Sequence, residues 1–333
     1  MNNPPSTVRA QAPGSTWKWR AGACAAILLV AAAASWISRQ QAERSCQARM
    51  GGISAALAGH ARLAMGSARS SLDALVEYAQ APGGPQAFHD RLSSKVAHDF
   101  LRARVGVNAS IDVASFIDAS GSILSISRTF PAPIIDVSTR DYFKAHLQKS
   151  SSDAILSTPV LGKINQRWAI YLTRRIDDAQ GSLLGLALIG VSLDSFSAFY
   201  QTLGSEMGEG FSVSLYRDDM MLLARWPRRD DLIGSLNPSS AAGLSIKTKR
   251  LDHAEIFVDS PRFTEGQQRQ RRLAAPRKVP GEPLIVAPVL AEERCLEAWR
   301  SACAGLFLLA IVACVGVLAW RRPHGAPGFR PPP

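Results

Sequence analysis

Two short stretches of the chain carry no charge, and the long segment between them changes its hydrophobic period partway along. Ala21–Ile37 is 17 uncharged residues and Ala302–Trp320 is 19. At a helical rise of about 1.5 Å per residue each spans roughly 25–29 Å, the hydrocarbon thickness of a bilayer. Beyond the first stretch, Ile53, Leu57, Ala61, Ala64, Ala68, Leu72, Val76 and Ala79 recur at steps of three and four. That spacing predicts one amphipathic helix over 38–80, stopped by Ala81-Pro82-Gly83-Gly84. A second helix is predicted over Gln86–Arg104, with Phe88, Leu92, Val96 and Phe100 on one face.

The period then shortens to two. Ile111–Ile117, the turn Asp118-Ala119-Ser120-Gly121 and Ile123–Ser127 read as a hairpin. A short helix over Thr139–Gln148 follows, with Ser138 in N-cap position. Three strands are expected next, Ala154–Leu161, Arg167–Ile176 and Leu183–Val191, then a linking helix over Asp194–Leu203. The series recurs more faintly: Phe211–Arg217, the turn Asp218-Asp219 and Met221–Trp226 make a second hairpin. Ser245–Arg250, Ala254–Val258 and Leu284–Val289 supply further strands, and Glu292–Arg300 a helix feeding the second apolar stretch. The polar basic run Gln267-Gln268-Arg269-Gln270-Arg271-Arg272 is expected to be a solvated loop, with contact to anionic lipid as the alternative. The implied class is α+β: a long N-terminal helix plus two PAS-like antiparallel-sheet modules, flanked by two transmembrane helices.

Charge assigns the topology. Arg9, Lys18 and Arg20 precede the first apolar stretch and Arg321, Arg322 and Arg330 follow the second, with no acid in either flank. Both tails are therefore expected in the cytoplasm, with 38–300 on the far side of the membrane. Trp17, Trp19 and Trp36 bracket the first stretch as interfacial aromatics. The ending AAAAS leaves a cleaved secretory signal as the other reading of that stretch. The net charge of +11 falls to +5 once the six flanking basic residues are removed, so it does not point to nucleic acid.

Asp136–Leu147 (DVSTRDYFKAHL), Leu156–Arg175, Gly185–Tyr200 and Phe211–Pro227 together resemble the double-Cache (dCache, PDC-type) sensor domains of bacterial signalling receptors, above all those ahead of diguanylate cyclases. The likeness covers about 40–300. It implies a membrane-distal module at about 105–195, a membrane-proximal one at about 205–290, periplasmic location in a bacterial inner membrane, and a small molecule bound in the distal module. It also implies that the arginine of the RDY segment holds a ligand carboxylate and that an acid at the position of Asp194 holds an amine.

The residues supply their own argument for Arg140: a guanidinium presents five donors in a rigid fork, suited to a carboxylate, and here it sits beside Tyr142 and Phe143. A surface ion pair with Asp141 is its plainer reading. Trp168, Tyr171 and Arg174 lie on one expected strand, where alternation puts Trp168 and Arg174 on one face and Tyr171 on the other unless a bulge intervenes. Asp194 also reads as a helix N-cap. The amino-acid-sensing pattern has an aromatic five positions before the arginine and Trp-Tyr two and three after it; Ile135, Tyr142 and Phe143 stand there, which favours a small carboxylate over an amino acid.

Other chemistry is sparse. The six histidines form no metalloprotease pair, and there is no CxxC, GxSxG or P-loop, so neither cofactor, metal nor catalysis is expected. Cys24, Cys303 and Cys314 lie in the apolar stretches. Cys46 and Cys295 are expected at similar heights outside the membrane, as free thiols or, alternatively, as a disulfide. The tail 321–333 is too short to carry an output domain. The expectation is a homodimeric ligand sensor acting through a separate output protein. A sensor half split from a cyclase or kinase, and a structural membrane protein without ligand, are the rivals.

Overall fold

The computed structural model describes residues 14–80, 84–106, 110–148, 153–162, 166–261 and 269–320. The breaker at 81–83, residues 267–268 of the basic run, and the charged flanks Arg9, Arg321, Arg322 and Arg330 lie outside them. The chain divides into two compact units, one of residues up to Cys46 with Glu293 onward, the other Gln47–Glu292.

The first unit is a helical hairpin. Helix α1 (Gly14–Ala79) joins the first apolar stretch and the amphipathic stretch, expected as separate elements, into one helix of 66 residues. The connecting Ser38–Cys46 holds Gln, Ala, Glu and Arg but no Gly or Pro, so nothing interrupts the backbone ladder. The expected helix over 292–300 is divided instead, into α6 (Glu292–Cys295) and α7 (Glu297–Ala319). Helices α1 and α7 run antiparallel. Cys24 Sγ lies 3.8 Å from the Cys314 carbonyl oxygen, Ser35 Oγ lies 3.1 Å from Cys303 Sγ, and Trp299 Nε1 donates to the Ser35 carbonyl at 3.1 Å. Arg20 donates to the carbonyls of Leu318 and Trp320, satisfying the open C-terminal end of α7. Cys46 and Cys295 form a disulfide with Cα atoms 5.6 Å apart, in place of two free thiols. Leu28, Leu29, Val30, Leu308, Leu309 and Val312 point outward from the pair.

The second unit contains two six-stranded antiparallel sheets. In the distal module the strands are β1 (Ile111–Asp118), β2 (Ile123–Ile126), β3 (Ile155–Leu156), β4 (Val160–Leu161), β5 (Trp168–Asp177) and β6 (Leu183–Ser192). Their order is β2-β1-β6-β5-β3, with β4 also on β5. Both faces of this sheet are covered. On one lie α1, α2 (Pro85–Leu92) and α3 (Lys95–Gly106); Tyr78 of α1 stacks on Phe100 at 4.2 Å and faces Phe116 of β1. On the other lie the segment 128–140 and α4 (Asp141–Gln148), with Val113, Ile117, Tyr142, Phe143 and Leu188 at the centre of that core. Along α1 the expected stripe is buried from Leu57 to Ala79, and Met50, Ser54, Met65 and Leu75 widen it.

Helix α5 (Leu193–Met207) leads into the proximal module: β7 (Phe211–Arg217), β8 (Leu222–Trp226), β9 (Ile256–Pro261), β10 (Arg269–Ala274), β11 (Arg277–Lys278) and β12 (Leu284–Ala291). The order β8-β7-β12-β10-β9, with β11 on β12, repeats the distal topology. Gly204 of α5 lies flat against the Trp226 indole, which leaves no room for a Cβ.

Several expected elements change. The helix over 86–104 is two helices, because Ser94 ends the first and its Oγ accepts the Ala97 N–H at 3.2 Å, capping the second. The face turns with the break, so Val96 is exposed while His98 and Leu101 are buried. Ser138 donates to Asp136 and α4 begins only at Asp141. The strand over 154–161 is split around Ser157-Thr158-Pro159, since proline cannot join the ladder. Residues 243–248 are a π-helical turn, not a strand; Ser240 Oγ accepts the Gly243 N–H and Ser245 Oγ donates to the Ala241 carbonyl. The described part of the basic run is strand β10, not a loop. Its arginines diverge: Arg271 lies over the Phe257 ring near Glu292, whereas Arg272 is 8% exposed.

Candidate functional site

On β1 the side chains divide by parity. Ala114 and Phe116 face the helices, and Val113, Ser115 and Ile117 face α4. Beneath α4 this second face leaves a cavity of about 110 Å³, walled by Val113, Ile117, Ile123, Ile126, Ile135, Val137, Val160 and Leu188. Its polar groups are Ser115, Arg128, Arg140, Tyr142 and Tyr171. Arg140 sits one residue before α4, where its main chain is fixed by an N–H bond to the Val137 carbonyl and by accepting the Lys144 N–H.

Tyr142 and Tyr171 meet edge to face with centroids 5.8 Å apart. Gly190 makes that possible. It pairs with Tyr171 across β5 and β6, and a Cβ there would lie 2.5 Å from Val113 Cγ1 and 3.1 Å from Tyr171 Cε1. Burial pushes both tyrosine hydroxyls above their ordinary range, and for Tyr142 the neighbouring Tyr171 adds to that rise. Both are neutral near pH 7 and act as hydrogen-bonding groups. Arg128 pairs with Asp112, and the described lining residues include two arginines and no acid.

Of the six residues singled out by the sequence, three come together here: Arg140, Tyr142 and Tyr171. The other three do not. Strand β5 carries no bulge at 168–171, so Trp168 and Arg174 face away from Tyr171. Arg174 pairs with Asp73 of α1 at 2.5 Å. Asp194 lies in the first turn of α5 and pairs with Arg228 at 2.9 Å and Arg167 at 3.7 Å. The N-cap of α5 is Ser192, which accepts the Asp194 N–H, so the capping reading of Asp194 is corrected as well. Arg128 is the lining residue the sequence reading missed. It stands two after Ile126, and alternation alone would have put it on the same face.

Behind the cavity His146 is fully buried, with Nε2 3.0 Å from Thr173 Oγ1. Burial holds its pKa down at about 4. Among the described residues no three His, Cys, Asp or Glu side chains converge as a metal site would require.

No family model and no curated protein matches the sequence. Solved structures do. The extracellular domain of rpHK1S-Z16, described as a histidine kinase, is 24% identical with a TM-score of 0.64, covering 77% of this chain and 98% of that one. The ligand-binding domain of the Pseudomonas fluorescens chemoreceptor CtaA, in complex with L-isoleucine, is 14% identical with a TM-score of 0.54, covering 78% and 98%. That of the Pseudomonas aeruginosa amino acid chemoreceptor PctC, in complex with GABA, is 17% identical with a TM-score of 0.51, covering 74% and 99%. The chain thus has the double-Cache fold, that of the extracellular ligand-binding domains of bacterial histidine kinases and chemoreceptors.

Proposed function

We propose that the protein is a membrane-anchored, extracytoplasmic sensor of a small carboxylate. In this reading the apolar part of α1 and helix α7 both cross the inner membrane of a bacterium, the two tails are cytoplasmic, and the sheet modules stand in the periplasm. The outward-pointing leucines and valines of the helical hairpin support it, since such a surface belongs in lipid. The sensor is non-catalytic, forms a homodimer through α1, and passes its signal to a separate output protein.

One observation carries the ligand assignment: Arg140 borders a small apolar cavity beside two neutral tyrosine hydroxyls. The ligands named for the related chemoreceptors each carry a carboxylate and an amine. Here the described lining has an arginine for the carboxylate but no acid for the amine. About 110 Å³ is also well below the roughly 300–1,000 Å³ of common small-molecule sites. The fitting ligand is a short aliphatic monocarboxylate whose tail packs on Ile117, Ile126 and Leu188.

The test is a thermal-shift and calorimetric titration of the full chain in dodecyl maltoside with propionate, isobutyrate and L-isoleucine. Propionate or isobutyrate is expected to stabilise the wild type. Arg140→Gln should weaken that binding at least about tenfold, the loss of a charge-assisted hydrogen bond. L-Isoleucine should bind more weakly than either. Equal binding by Arg140→Gln, or stabilisation by none of the three, would overturn the assignment.

A further inference from the structure

One wall of the distal cavity stands at the edge of its sheet. Val160, Leu161 and Gly162 line the cavity, and they belong to the segment 155–162, which runs along the side of β5 away from β6. Two-residue strands give this segment few ladder bonds of its own. Ile155 and Leu156 pair with Thr173 and Leu172, and Val160 and Leu161 pair with Ala169 and Trp168. Between the two strands lies Ser157-Thr158-Pro159, ending in a residue with no N–H to give. A wall of this kind needs support from outside the sheet.

Within the distal module the segment is fastened to the site itself. Asp141, next in sequence to Arg140, accepts the Thr158 N–H at 2.7 Å. Ser157 donates its N–H to the Tyr171 carbonyl at 2.9 Å, and its Oγ accepts the Tyr171 N–H at 2.9 Å. The other support comes from the proximal module. Arg217, the last residue of β7, donates from Nη1 to the Leu156 carbonyl at 3.3 Å. The Gly234 backbone also lies against Pro159, where a Cβ would stand 3.6 Å from Pro159 Cγ. The guanidinium is oriented for its contact. Its Nε and Nη2 donate to the Asp219 carboxylate at 3.1 and 2.6 Å, and the side chain is 16% exposed. Those bonds to Asp219, and the charge of Asp141, raise the Arg217 pKa against the opposing effect of burial, so the fork stays protonated.

We propose that Arg217 is a positioning residue for the distal site, holding the 155–162 wall closed from the proximal module and so setting how long a carboxylate the cavity accepts. The ligand class rests on the distal carboxylate reading, while the holding role goes beyond it, since Arg217 is not among the described lining residues. Without the guanidinium the segment keeps its bonds to Asp141 and Tyr171 but loses a support on its outer side. Val160, Leu161 and Gly162 then draw back and leave room for a longer aliphatic tail. Coupling between sites is reciprocal, so a ligand pressing on this wall acts on β7 through the same bond.

The experiment uses the full chain in dodecyl maltoside. Amide exchange of the unliganded protein is followed by mass spectrometry over 155–162, and propionate and hexanoate are then titrated by calorimetry. Arg217→Met keeps the aliphatic stem and removes every donor. It should speed exchange over 155–162 at least about fivefold while β1 and β6 stay protected, and reduce the preference for propionate over hexanoate by a similar factor. Arg217→Gln, whose amide ends well short of the Nη1 position, should do the same and serves as the second variant. A role confined to the proximal module would instead loosen β7 and β8, with exchange over 155–162 and the chain-length preference both as in the wild type. Wild-type exchange over 155–162 in both variants, or a loosened wall with an unchanged preference, would overturn the proposal. If neither carboxylate binds the wild type, the distal reading fails. The exchange result needs no ligand, and by itself it then decides whether Arg217 holds the wall.

Discussion

The two modules share a strand order and differ in what stands on the equivalent sheet face. In the distal module β1 presents Val113, Ser115 and Ile117, β6 presents Leu188 and β5 presents Tyr171, and the space left is about 110 Å³. In the proximal module β7 presents Ser212, Ser214 and Tyr216, β12 presents Ala287 and Val289, and β10 presents Arg272 and Ala274, leaving about 270 Å³. Topology sets where a cavity forms; side-chain volume and charge set its size and what it accepts. The buried ionisable groups differ in kind as well. Behind the distal cavity lies a histidine, and in the proximal wall lie two arginines, which keep their charge across the accessible pH range.

That last difference gives the largest expected effect, a loss of distal stability in acid. His146 has a folded pKa of about 4 against roughly 6.5 when unfolded. Above pH 6.5 it is neutral in both states and its contribution does not vary. Between 6.5 and 4 the unfolded chain binds a proton that the folded chain refuses, so stability falls as pH drops and levels off below 4. The loss amounts to about 3 kcal/mol. Refusal has a structural cause: Nδ1 is buried with no hydrogen-bond partner among the described residues, and the Arg175 guanidinium donates to the His146 carbonyl at 3.2 Å. Amide exchange should show α4 and β5 opening as pH falls through this window while β10 and β12 stay protected. His146→Leu should flatten the profile. Equal loosening of both modules would break the comparison.

A smaller effect is expected at Gly190, where close approach of Val113 and Tyr171 allows only hydrogen. Gly190→Ala forces the tyrosine ring or the valine to shift, an overpacking cost of about 1–3 kcal/mol. The melting temperature should fall, and carboxylate binding in the distal cavity should weaken because the Tyr142–Tyr171 pair opens.

How much of this was legible in the sequence depends on the range of the interaction that decides it. Period-two alternation marks both hairpins, and parity separates Tyr171 from Trp168 and Arg174, because those are local properties of a strand. The break at Ser93-Ser94 was hidden, since Phe88, Leu92, Val96 and Phe100 keep a perfect four-residue step across a point where a serine cap turns the face. Ser245-Ile246-Lys247-Thr248 alternates like a strand yet coils, because Ser240 and Ser245 satisfy backbone groups that a strand would pair elsewhere. The distal arginine was found because it sits in a recognisable segment. The burial of Arg225 and Arg272 was not legible, because it depends on small residues that two intervening strands place between them.

The smallest expected effect concerns Asp194. The family resemblance assigns an acid at this position to a ligand amine, but here it pairs with Arg228 at 2.9 Å and lies outside the lining of the distal cavity. Both partners are partly exposed, so the pair is worth about 0–1 kcal/mol. It links the start of α5 to the loop after β8, and so joins the distal module to the proximal one. Asp194→Asn should change stability by less than about 1 kcal/mol and leave propionate affinity within experimental error. Arg228→Gln should give the same small change, and the double variant should cost no more than either single one. An amine-binding role predicts the opposite pattern, with Asp194→Asn losing affinity for an amino acid at least about tenfold while Arg228→Gln loses none. The two patterns cannot both appear, so one set of titrations decides between a module clamp and a ligand contact at this residue.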